Sequence, residues 1–190
     1  MSGNQRRALR VGLLTFFLSV SISTLFQFTQ TSTVFWFSAL VLLVVVFLGI
    51  IFDLIGTATT AASEEPFHAM ASDRVIGAKR AIKLVRNADR VASFCNDVIG
   101  DICGTVSGSI GAALVIDFVA TYNIPQYRNL LSIIIVGLVS ALTVGGKAAG
   151  KSFAIKKSSV IVWRVAFLLE KVDQLKNRRT KDGKNKKERR

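Results

Sequence analysis

Apolar residues in this chain gather in long blocks rather than in the short alternating runs of a strand. Segment 34–55 reads VFWFSALVLLVVVFLGIIFDLI and carries one charge, Asp53, close to its end. About 20 apolar residues suffice to cross the hydrocarbon core as a helix, so this block predicts a transmembrane span. Segment 11–28 is apolar with Ser and Thr interspersed, residues whose hydroxyls bond back to the preceding helical turn. Segment 91–119 is less apolar because it holds Asn96, Asp97, Asp101 and Asp117, and segment 130–146 is nearly free of polar groups until Lys147. The pattern predicts an all-α integral membrane bundle of four transmembrane helices. A secretory signal peptide is the rival reading of the N-terminus; the run is long for one, and no small-residue cleavage site follows it.

Charge then orients the bundle. Of the 190 residues 51% are hydrophobic, yet the net charge is +13. Arg6, Arg7 and Arg10 precede the first span, and Arg74, Lys79, Arg80, Lys83, Arg86 and Arg90 lie between the second and third. The opposite loops, TQTST and TYNIPQYR, offer only Arg128. The positive-inside rule therefore predicts both termini on the cytoplasmic side of the cell membrane. Residues 176–190, KNRRTKDGKNKKERR, set nine basic residues against Asp182 and Glu188 and read as a disordered cytoplasmic tail that contacts anionic lipid headgroups. Nucleic acid is not expected as a partner, because no aromatic residues are interleaved for base stacking.

The segments next to the membrane predict a helical belt. SEEP starts a helix with Ser63 as its cap, acids in the first turn and Pro66 within that turn. After a break at SDRVIG, AKRAIKLVRNADRVA places Ala78, Ile82, Val85 and Ala92 on one face and Lys79, Lys83, Arg86 and Arg90 on another. Beyond the fourth span, Ile155, Val162, Val165, Ala166 and Leu169 recur at helical spacing with Trp163 suited to the interface. A helix along the inner membrane face is expected there, the alternative being a short re-entrant segment.

Candidate chemistry is sparse. His68 is the single histidine and reads as an interfacial residue. Cys95 and Cys103 are eight positions apart on one helix, too distant to bridge. Metalloprotease, redox and serine-hydrolase signatures are missing from the sequence, so no catalytic residue and no cofactor is expected. One motif does match: GGKAAGKS at 145–152 has the spacing of a phosphate-binding loop. Such a loop must follow a buried strand and open a helix, whereas this one follows an apolar span.

Ionisable groups inside a membrane are costly and face a bundle interior or polar cavity. With the termini inside, Asp53, Asp97, Asp101 and Lys147 fall near the cytoplasmic ends of their spans and define one layer. Gly100, Gly104 and Gly108 form a small-residue ridge that would admit a neighbouring helix. Two readings stay open. Asp53, Asn96, Asp97 and Asp101 make an oxygen-rich set suited to Mg²⁺ or a similar hard cation. Alternatively Lys147 pairs with the acids and holds the bundle together.

In AMASDRVIGAKRAIKLVRNADRVAS, CNDVIGDI and GKAAGKSFA, in that order, segment 34–175 resembles the DUF21 transmembrane domain of the CorB/CorC and CNNM family of magnesium transport proteins. The corresponding family segments are A-x-x-G-x-x-x-A-k-x-x-x-k-L-l-x-n-p-d-r, G-N-x-x-V-N and G-E-x-x-P-K-x-x-A. The resemblance implies transport or efflux of a divalent cation, Mg²⁺ or Co²⁺, by a homodimer, with Asn96 retained among the implied ligands and bound Mg²⁺ as its ion. Residues 1–33 would be an added N-terminal helix and outer turn. The chain departs from the family at Lys147, where relatives carry Glu, at Gly150, where they carry Pro, and at FDLIGTAT, where they carry Ser-x-Ser-Glu. The cytosolic CBS pair that accompanies many relatives has no counterpart here.

Overall fold

A computed structural model describes the backbone of residues 3–30 and 35–188 and the side chains of residues 9, 11–24 and 35–176. All of the regular structure among these residues is helical: α1 (Gly3–Gln30), α2 (Phe35–Ala61), α3 (Glu65–Ser72), α4 (Ala78–Arg86), α5 (Ala88–Ser93), a π-helical segment (Phe94–Gly100), α6 (Asp101–Tyr122), a 3₁₀ turn (Pro125–Tyr127), α7 (Arg128–Lys156) and α8 (Ser158–Glu188). Three stretches among the described residues are long and apolar enough to cross a membrane: Phe35–Ala61, Ala88–Tyr122 and Pro125–Lys156. The apolar part of α1 is Val11–Thr24, shorter than these three. Of the expected outer turn, TQTST at 29–33, the first two residues end α1, and residues 31–34 lie outside the described residues.

The helices form two compact units, the first made of Met1–Leu54 with Ser93–Gly150 and the second of Ile55–Ala92 with Lys151–Arg190. In the first, Val98, Ile102, Val106, Ile110 and Leu114 lie one turn apart along the π segment and α6 and form a buried stripe. Leu18 of α1 and Ala39, Val41, Leu42 and Val45 of α2 pack against it. The stretch Ala88–Tyr122 is the most buried of the three candidate spans and the least hydropathic. Lipid tails are as apolar as any side chain, so the most apolar helices face lipid and the small and polar ones collect inside. The close approaches follow: a Cβ on Gly49 would sit 2.9 Å from the Cβ of Cys103, and one on Gly111 3.2 Å from Ile135. Gly104 and Gly108 have open space beside them among the described residues, which use only part of the expected glycine ridge. Thr15 and Ser21 donate to the carbonyls of Val11 and Phe17, as the Ser/Thr-bearing first helix requires.

In the second unit Phe67, Ala78, Ala81, Ala154, Val162 and Ala166 are buried, while Ile155 and Leu169 are exposed. The inward stripe of α8 thus runs through Ser158, Val162 and Ala166, one position round from part of the set expected from spacing. Ala154, Ser158, Val162 and Ala166 repeat every four residues, and the small ones allow α4 to lie against α8. Trp163 donates its indole N–H to the Ile76 carbonyl at 3.3 Å. Arg80 reaches Asp173 at 2.5 Å, Glu170 at 3.5 Å and the Leu169 carbonyl at 3.1 Å, tying α4 to α8.

Two local expectations are corrected. The cap of α3 is Glu64, not Ser63, and its side chain makes no cap bond because it turns to Arg86 and His68. The single helix expected over AKRAIKLVRNADRVA breaks at Asn87, whose side-chain amide donates to the Lys83 carbonyl and closes α4. The backbone of α8 is helical to Glu188, and the expected basic tail, 176–190, falls outside the described side chains apart from Lys176.

The end of α3 has the two bonds of a Schellman motif, Arg74 N–H to Ala71 and Val75 N–H to Met70. Its left-handed residue is Arg74, with φ 56°, a position that favours glycine or asparagine. A non-glycine residue there costs about 1 kcal/mol.

The Arg86 guanidinium donates to Glu64 at 2.9 Å and holds that carboxyl below its ordinary value, with His68 at 3.2 Å adding to the effect against partial burial. A depressed folded-state pKa contributes stability that is present in full above the ordinary carboxylate range and is lost as pH falls through the lowered value. Melting of the full chain is therefore expected to decline on acidification through that window, and Arg86→Gln to make the decline shallower. Equal acid limbs in the two proteins would remove Glu64 from the account.

Candidate functional site

Of the four oxygen-bearing residues singled out from the sequence, two point into the first unit and two do not. Asp53 on α2 is 7% exposed, and its Oδ1 lies 3.6 Å from the Nζ of Lys147 on α7. That separation makes an ion pair but exceeds hydrogen-bond length. The ammonium lies beside Gly100, where a Cβ would stand 3.4 Å from Nζ, close to ordinary contact distance. Asn96, one turn before Gly100, has its Oδ1 buried. Neither this oxygen nor Asp53 Oδ2 has a hydrogen-bond partner among the described residues.

Asp97 and Asp101 are exposed. Asp97 accepts a hydrogen bond from Ser93 Oγ at 2.8 Å, one turn earlier on the same face. Among the described residues no group of three or more His, Cys, Asp or Glu side chains could hold a metal ion. The arrangement is therefore a buried carboxylate neutralised by an ammonium, with two unsatisfied acceptor oxygens. Cys95 and Cys103 are free thiols, in keeping with their spacing. His68 is exposed beside Glu64.

The site is built on an irregularity that hydropathy does not report. Phe94–Gly100 is π-helical, and such segments occur often at functional sites because they widen the helix and re-aim its side chains. Here the irregularity contains both Asn96 and Gly100. The glycine at 100, read from the sequence as part of the ridge, lies beside the Lys147 ammonium.

GGKAAGKS lies wholly within α7. Helical N–H groups are already engaged with carbonyls four residues back, so this stretch has no loop of free donors to wrap a phosphate. Its glycines serve packing instead: a Cβ on Gly146 would meet the side chain of Ile50, and one on Gly150 that of Leu54.

Comparisons with protein-family models, with curated proteins and with solved structures found no match to this chain.

Proposed function

We propose that this chain is a multi-pass membrane protein of the cell membrane whose polar layer is occupied by its own lysine: a non-transporting scaffold or regulatory protein in which Lys147 stands where relatives of the CorB/CNNM type hold a cation. In this reading the chain has four spans, both termini are cytoplasmic, the lipid bilayer is its main surroundings, and two copies associate as a homodimer. The observation that carries it is the 3.6 Å approach of Lys147 Nζ to the buried Asp53. A buried carboxylate needs a positive partner, and an ammonium that already supplies one leaves little for a divalent ion to gain.

A second reading, transport or efflux of Mg²⁺ or Co²⁺, is favoured by one specific feature, the two unpartnered oxygens Asp53 Oδ2 and Asn96 Oδ1. Hard cations take such ligands. The readings separate in melting experiments on the purified full chain with Mg²⁺, Co²⁺, Mn²⁺ or a chelator. A ligand at 100 times its Kd stabilises by about 2.7 kcal/mol, so occupancy is readily seen. The scaffold reading expects no metal effect on the parent and a Mg²⁺-dependent rise in melting temperature for Lys147→Glu, which replaces the ammonium with a further oxygen ligand. A saturable Mg²⁺ or Co²⁺ effect on the parent would favour transport.

A further inference from the structure

The second unit contains a cavity of about 520 Å³ between the α3–α4 turn and α8. Arg74, Lys79 and Arg80 line it, with Glu170 as its acidic residue. Arg80 is engaged by Glu170 and Asp173, whereas Arg74 and Lys79, both exposed at the cavity mouth, have no acidic partner among the described residues. The N-terminus of α4 begins beside it at Ala78, so the helix dipole adds to the positive potential. Arg74 occupies the left-handed position of the Schellman motif, where glycine would be less strained, and this places a guanidinium in the cavity wall.

We infer that this cavity binds a phosphate group, carried by an anionic lipid headgroup. Phosphate chemistry follows from two cations without an acidic partner among the described residues, one of them a guanidinium able to donate two parallel bonds to phosphate oxygens. The lipid source follows from two further observations. Ile76, an apolar residue 51% exposed, lines the same cavity and offers contact to an acyl chain or glycerol backbone. By chain connectivity the unit also contains the ends of α2 and α7, both membrane-length helices, so it lies close to headgroups along the chain. Basic pockets on the cytoplasmic side of membrane helices recognise such headgroups.

The test uses the full chain in neutral detergent, titrated with dioctanoyl phosphatidic acid, dioctanoyl phosphatidylcholine and inorganic phosphate. The parent is expected to bind phosphatidic acid and not phosphatidylcholine. Arg74→Gly with Lys79→Gln should weaken that binding about thirtyfold, the effect of two basic residues near an anionic headgroup. Arg74→Gly alone relieves the strained turn, so its melting temperature should be no lower than the parent's while its binding is weaker. That combination separates loss of the ligand from loss of the fold. Glutamine at the Lys and Arg positions of 178–190 should leave the binding intact. Inorganic phosphate binding as tightly as the lipid, with the same dependence on Arg74 and Lys79, would support the phosphate site and assign it to a soluble source. Binding unchanged in the double variant, equal for phosphatidylcholine, or lost only with the tail substitutions would overturn the inference.

Discussion

Gly77→Ala is expected to destabilise the second unit by about 2–4 kcal/mol, combining overpacking of a tight contact with strain at a left-handed backbone position. Gly77 has φ 87°, and a Cβ there would stand 2.9 Å from the Cα and N of Phe167. Those atoms are helix backbone and cannot swing aside as the end of a side chain can. Either α4 moves away from α8, loosening Ala78, Ala81, Val162 and Ala166, or the turn changes conformation and Arg80 loses its position against Asp173. Hydrogen exchange on the full chain should show faster exchange in α4 and α8, together with a lower melting temperature. Parent-like exchange and melting would mean that α4 does not lie on α8 as described.

The other large effect is expected at the polar layer. Lys147→Met alone should cost about 3–5 kcal/mol, because it leaves the Asp53 carboxylate buried without its partner. Asp53→Leu alone should cost a similar amount by leaving the ammonium against Gly100 with no counter-charge. Replacing both is a different matter. Asp53→Leu with Lys147→Met removes two desolvation penalties together with one attraction, and buried pairs exchanged for packed apolar groups are often neutral or stabilising. Unfolding in mixed micelles by titration with SDS reads all three proteins on one scale.

How much of this was legible in the sequence depends on which physics marked each residue. Three membrane-length helices were, because hydropathy over about 20 residues reflects the solvent directly. The approach of Asp53 to Lys147 was legible in outline, since both charges end apolar blocks on one predicted side. The orientation of the third span was not. Asp97 and Asp101 share a helical face with Ser93, and Asn96 shares another with Gly100; periodicity separates the two polar faces but does not say which turns inward. The inward one is marked by its glycine, against which the ammonium lies, while the acids on the other face stay exposed. Nor did propensity reveal the π-helical segment, since hydropathy and helix propensity do not distinguish π from α hydrogen bonding. In the second unit, Ala81 escaped notice because alanine carries little hydropathic signal, although it is fully buried beside Ala78. The match to a phosphate-binding loop misled for a related reason. Glycines spaced for a loop are also spaced for close helix packing, and context alone separates the two.

The most direct measurement is a double-mutant cycle on Asp53 and Lys147, using Asp53→Leu, Lys147→Met and the double variant in SDS unfolding at fixed detergent ratio. Direct pairing inside the bundle predicts a coupling of at least about 2 kcal/mol, with the double variant more stable than either single one. Single effects that add to within about 0.5 kcal/mol would contradict it, and Lys147 would then not be the resident cation of this layer.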